Sequence, residues 1–141
     1  MSSYQCIVTD LAYYEDERCV MVNVDILDDN VKMSCEVDGI RFSVSGEFYF
    51  ETFQLLRDRL LELGYGIKCN GSKLNAIQSG LFGNSEKIYL VENGKQAMNK
   101  DLYSIWDYAD IRDFPSTNEQ RAYAKQWFKS LEAKIPFDHC Q

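Results

Sequence analysis

Proline and histidine are scarce in this sequence: two prolines and one histidine stand in 141 residues. With only eight glycines, and with 45% hydrophobic and 13% aromatic residues, the chain is neither low-complexity nor disordered. Its length fits a single domain over residues 1–141 that buries its own core. The histidine, His139, sits beside Cys140, and the five cysteines (Cys6, Cys19, Cys35, Cys69, Cys140) form an odd set without a CxxC pair. Neither a disulfide framework nor a zinc site fits that spacing, and no metal or cofactor is expected. No run approaches the roughly 18 apolar residues of a membrane span, and MSSYQCIVTD lacks the basic and apolar regions of a signal peptide. The expectation is a cytoplasmic protein without membrane contact. Glycine-rich nucleotide signatures and the G-x-S-x-G elbow are also missing, so no catalytic residue is assigned and an enzyme is not expected.

Bases are scarce where acids are dense. Residues 1–40 hold nine acids (Asp10, Glu15, Asp16, Glu17, Asp25, Asp28, Asp29, Glu36, Asp38) against Arg18 and Lys32, a net of −7 that equals the charge of the whole chain. The remainder sums to zero. Direct binding to nucleic acid needs a positive face and is disfavoured, whereas an acidic sector on a neutral body suits a basic protein partner.

What is present reads as α+β. In VKMSCEVDGIRFSVS, apolar residues alternate with polar ones on either side of Asp38-Gly39, a favoured pair for a two-residue type I′ turn. That turn sets Val37 against Ile40, Cys35 against Phe42 and Met33 against Val44, and a one-residue slip would bury Arg41 and Ser43. CVMVNVDIL supplies a preceding strand, and YQCIVTDLAYY another, joined through Glu15-Asp16-Glu17. The expected unit is a four-stranded antiparallel meander over residues 4–45.

The period then changes. Tyr49, Phe53, Leu56, Leu60 and Leu63 mark an amphipathic helix that packs on the meander, places Glu51, Gln54, Asp58 and Glu62 on the opposite side, and ends at Gly64. YGIKC and KIYLVEN are further short strands, with residues 70–86 between them as an irregular loop. A short helix is expected from Asn99, with Leu102, Ile105 and Trp106 inward. A C-terminal helix opens on the capping box Ser116 to Glu119, buries Ala124, Trp127, Phe128 and Leu131, and stops at Pro136.

Cys69 precedes Asn70-Gly71 and could be a nucleophile on a turn, but reactivity needs a neighbouring cation and a base in reach. Lys68 points to the other side of a strand. The structural reading, a small buried residue ending a strand, is preferred; a small enzyme or ligand-binding domain using Cys69 and the 70–86 loop is the alternative. Asp107, Asp110 and Asp113 lack the flanking phosphate loop that a magnesium site would want, and read as helix-end and turn acids. Strand parity returns Asp38 to the end of the meander occupied by Glu15, Asp16 and Glu17. Those four acids, with Tyr13 and Tyr14 as aromatic anchors, form the candidate partner-binding surface.

From Phe53 to Asp110 the chain carries F-x-x-L-R-x-x-L, the C-N-G turn at Cys69, Ser79-Gly80, a short strand and D-L-x-x-I-x-D. In this it resembles a family of small bacterial proteins, departing in having only Lys73 as a base between C-N-G and S-G. In kind, the whole chain resembles the immunity proteins of contact-dependent growth inhibition and related polymorphic toxin systems: small, often acidic cytoplasmic domains that each neutralise one cognate toxin, frequently a nuclease. That resemblance implies an inhibitor of a basic toxin domain, monomeric when free.

Overall fold

The hairpin around Asp38-Gly39 sets the frame. In the computed structural model, which describes residues 1–132, strands β3 (Asn30–Val37) and β4 (Ile40–Gly46) pair as the turn demands, with Val37 on Ile40, Cys35 on Phe42 and Met33 on Val44. Asp38 and Gly39 both take positive φ, 51° and 81°, as a type I′ turn requires. Strands β1 (Ser2–Asp10) and β2 (Glu17–Leu27) complete the expected antiparallel meander.

β1 stops earlier than the sequence pattern suggests. The Asp10 carboxylate accepts the backbone N–H groups of Ala12 at 2.7 Å and Tyr13 at 3.2 Å, an Asx turn that closes the strand before Leu11. Tyr13 and Tyr14 therefore belong to the loop between β1 and β2. A fifth strand, β5 (Tyr65–Ile67), pairs antiparallel with the free side of β1, and the sheet order is β4-β3-β2-β1-β5.

Helix α1 (Tyr49–Glu62) lies on the apolar face of this sheet with Phe53, Leu56 and Leu60 fully buried. It ends where Gly64 turns with φ +93°, a conformation that side-chain-bearing residues rarely adopt. The side of α1 opposite its apolar stripe faces water only in part: Glu62 is exposed, and Glu51 and Asp58 are half-exposed. Gln54 is buried, and so is Arg57, because helix α2 (Thr117–Glu132) packs there. Gln120 of α2 accepts hydrogen bonds from Gln54 Nε2 (3.0 Å) and Arg57 Nη2 (2.9 Å), and donates to the carbonyls of Gly71 and Lys73. Arg57 also donates from Nε to Asp58 at 2.9 Å and from Nη2 to the Thr117 hydroxyl at 3.1 Å, while burial lowers the guanidinium's pKa.

A second, three-stranded sheet runs β6-β7-β8, with β6 (Ala76–Ile77), β7 (Lys87–Leu90) and β8 (Leu102–Ser104). β8 replaces the expected helix. Only a single turn, Asn99–Asp101, coils there before Leu102–Ser104 pairs with Lys87–Tyr89. Likewise the 70–86 loop is largely ordered into two 3₁₀ turns, at Asn70–Ser72 and Gly80–Phe82, with β6 between them. Both sheets feed one core, joined by Trp106, which stacks on Tyr4 at 5.0 Å, meets Phe53 edge-on and donates to the Tyr49 hydroxyl.

The capping box of α2 forms, with Ser116 N–H on Glu119 and Glu119 N–H on the Ser116 hydroxyl. Trp127 is buried, but Phe128 is exposed rather than inward. Pro136, His139 and Cys140 lie outside the described residues. The architecture is α+β, and among the described residues no helix is long and apolar enough to cross a membrane.

Candidate functional site: the acidic end of the sheet

The β1–β2 loop and the β3–β4 turn meet at one end of the sheet, as strand parity requires. The loop is fixed by backbone bonds from Asp10 N–H to Asp16 (3.0 Å), Asp16 N–H to Tyr13 (2.8 Å) and Leu11 N–H to Gly64 (2.9 Å). Thr9 adds a bond from its hydroxyl to the Tyr14 carbonyl at 2.6 Å. Tyr13 is thrust outward, 71% exposed, while Tyr14 rests edge-on against Phe114.

Two cations organise the carboxylates. Arg18 bridges the loop and the turn, with Nη1 on Asp16 at 2.6 Å and Nε on Asp38 at 2.8 Å. The other oxygen of Asp38 accepts the Tyr65 hydroxyl. Hydrogen bonding to Asp38 and then Asp16 raises the guanidinium's pKa. On the other face of the sheet Lys68 joins Glu17 at 3.0 Å to Asp110 at 3.1 Å, its side chain only 9% exposed. The Glu17 bond raises the Lys68 pKa against the opposing effect of burial, and Asp110 adds to the rise. Three of the four predicted acids are thus paired inside the molecule, and Glu15 makes no ion pair among the described residues.

Internal pairing does not cancel the charge. Asp10, Glu15, Asp16, Glu17, Asp38, Asp110 and Asp113 stand against Arg18, Lys68 and Arg112, leaving four negative charges at this end. Asp110 arrives from residues 107–111, which run beside β5 through bonds from Asn70 N–H to Asp107 and from Ala109 N–H to Lys68. That segment is the part of the site invisible to the strand pattern; the nearest sequence signal is the outward-pointing Lys68 next to the inward Cys69.

Tyr14 and Arg112 form a shared wall between two shallow depressions. One, of about 490 Å³, is lined on its apolar side by Leu11, Leu61, Leu74 and Phe114. The smaller, about 170 Å³, includes Thr9, Glu15, Glu17 and Lys68. Aromatic and aliphatic surface is therefore framed by charges of both signs, Asp113 and Glu119 with Arg112 at the larger depression and Glu15 and Glu17 with Lys68 and Arg112 at the smaller.

Cys69 lies elsewhere and is occupied with structure. It is fully buried, its carbonyl accepts Ser72 N–H at 3.0 Å, and the next two residues bond to the 104–108 segment, Asn70 N–H to Asp107 and Gly71 N–H to Ile105, both at 3.0 Å. Burial pushes the thiol up to about 12, and the bonds from Ser72 and Gly71 only partly offset that. A thiol so placed is not a nucleophile near neutral pH. Gly71 has no room for a side chain, since a Cβ would stand 2.8 Å from both Ile105 and Phe53. The C-N-G turn is a junction between β5, the 104–108 segment and, through Gln120, α2.

Asp107, Asp110 and Asp113 do not converge as ligands: among the described residues, no group of three or more His, Cys, Asp or Glu side chains could hold a metal ion. The chain matches no protein-family model and no curated protein sequence.

Proposed function

We propose that this chain is an inhibitor, of the immunity type, that binds a basic toxin domain through the acidic end of its main sheet. The observation that carries the reading is the surplus of negative charge that survives the Arg18 and Lys68 pairings, gathered beside the outward Tyr13 and the Tyr14 ring that rests on Phe114. The pairings help rather than hinder. They hold Asp16, Asp38, Glu17 and Asp110 in place before the partner arrives, so less side-chain entropy is lost on docking. Tyr13 supplies an exposed aromatic anchor, and Glu15 supplies a carboxylate that is free to meet a lysine or arginine.

A growth test addresses this directly. The chain is co-expressed with basic toxin domains, tested one at a time and starting with any encoded immediately upstream of it; the wild-type chain restores growth against one of them, and the double variant Glu15→Lys, Tyr13→Ala, folded by circular dichroism, protects poorly. Full protection by that variant would place the contact elsewhere.

A further inference from the structure

β4 terminates the main sheet, and among the described residues nothing pairs with its outer edge. The opposite side differs, because residues 107–111 cover it beyond β5. The type I′ turn decides which groups of β4 are spare. Its flanking pair, Val37 and Ile40, exchanges both hydrogen bonds, so Ile40, Phe42, Val44 and Gly46 are bonded to β3. The N–H and C=O groups of Arg41, Ser43 and Ser45 point away from the sheet. This strand of seven residues carries no proline, lysine or bulge to discourage pairing. Apolar surface continues to the edge, with Ile40 and Leu55 exposed, Phe42 and Val44 half-buried, and Arg59 of α1 over the Phe42 ring at 5.8 Å.

We propose that β4 pairs with β4 of a second copy of this chain, antiparallel about a two-fold axis at Ser43, to make one continuous ten-stranded sheet. The sequence of the edge favours its own copy. With Ser43 opposite Ser43, the spare groups of Arg41 meet those of Ser45 in the second copy, so every outward donor finds an acceptor. Phe42 falls opposite Val44 of the second copy, twice, in the close non-hydrogen-bonded positions, and the apolar inner face runs on unbroken. Charge agrees as well. Arg41 faces a serine rather than a like charge, and antiparallel pairing sends the two acidic ends to opposite extremes of the joined sheet. The proposed dimer differs from the free monomer that the sequence alone suggested, and it leaves both acidic ends open.

Sedimentation equilibrium of the full chain over about 1–200 µM tests this. The expected mass approaches twice the 16.4 kDa of one chain. Ser45→Glu sets a carboxylate opposite Arg41 at two symmetric positions and tightens the dimer, whereas Ser45→Arg sets like charges there and loosens it, each by roughly two- to thirty-fold. Ser43→Pro deletes only an outward N–H and gives a folded monomer. A monomeric mass at every concentration overturns the proposal, as does a dimer whose constant is the same in both Ser45 variants. If Ser43→Pro fails to fold, the opposed Ser45 pair still decides.

Discussion

Lys68 and Cys69 are neighbours with opposite fates, and the alternation of a strand end explains both. One side chain emerges onto the outer face and is held between Glu17 and Asp110; the other enters the core and is fully buried. Reactivity follows from that placement. In a Cys140→Ala background at about pH 8, Cys19 is expected to react rapidly with a thiol reagent, while Cys6, Cys35 and Cys69 react only on unfolding. Fast modification of Cys69 in the folded protein would overturn its structural role. The buried thiols also tie stability to alkaline pH. Burial raises the Cys35 thiol to about 11 and the Cys69 thiol to about 12, above the roughly 8.5 of an unfolded cysteine. The protonated, buried form is thus favoured by folding. This contribution is whole below about pH 8.5 and is lost as pH rises toward the folded values, at up to about 1.4 kcal/mol per pH unit for each thiol. Urea unfolding midpoints should fall between about pH 9 and 11, less steeply in Cys69→Ala than in the wild type; parallel profiles would show that this thiol does not contribute.

Helix α1 is an element with two interior faces, one apolar and one polar. Gln120 is the hub of the polar one, accepting from Gln54 and Arg57 and donating to two carbonyls of the C-N-G junction. Arg57 has little to spare, since its Nη1 is already without a partner among the described residues. Gln120→Leu strands those groups beneath α2 and should cost about 3 kcal/mol in urea unfolding. Phe128→Ser, on the exposed side of the same helix, should change stability by no more than about 0.5 kcal/mol. Equal losses from the two would contradict the assignment of faces. The same elements show what a sequence can carry. The β3–β4 register was legible because turn chemistry and alternation agreed on one pairing, and Gly64 and the Ser116 capping box were legible because caps are local. The polar face of α1 was legible only in part, at Glu51, Asp58 and Glu62 but not at the buried Gln54, because periodicity separates apolar from polar positions and cannot distinguish water from a buried network. β8 was misread as helix because the spacing of Leu102, Ile105 and Trp106 fits a helix, whereas its strand is imposed by pairing with β7, which lies some fifteen residues earlier. The site divides in the same way: strand parity brings Glu15, Asp16, Glu17 and Asp38 to one end, but Asp110 joins them only through the tertiary placement of residues 107–111.

At the scale of the whole molecule, the main surplus of negative charge lies at one end of the sheet, Asp28 and Asp29 stand at the other, and an unfinished sheet edge runs along one side. The two surfaces do not compete, so a dimer would offer two acidic ends facing apart. Under the proposed function, the acidic end would govern encounter through long-range attraction and Tyr13 and Tyr14 would govern residence through short-range packing, so the two should separate kinetically. The most direct test is the association rate of the chain with the toxin domain proposed as its partner, measured at about 50 and 300 mM salt for wild type, Glu15→Lys and Tyr13→Ala. The expected result is an on-rate that drops about tenfold or more with salt, a lower and flatter salt response in Glu15→Lys, and a faster off-rate with an unchanged on-rate in Tyr13→Ala. An on-rate indifferent to both salt and Glu15→Lys would contradict an acidic docking surface at this end of the sheet.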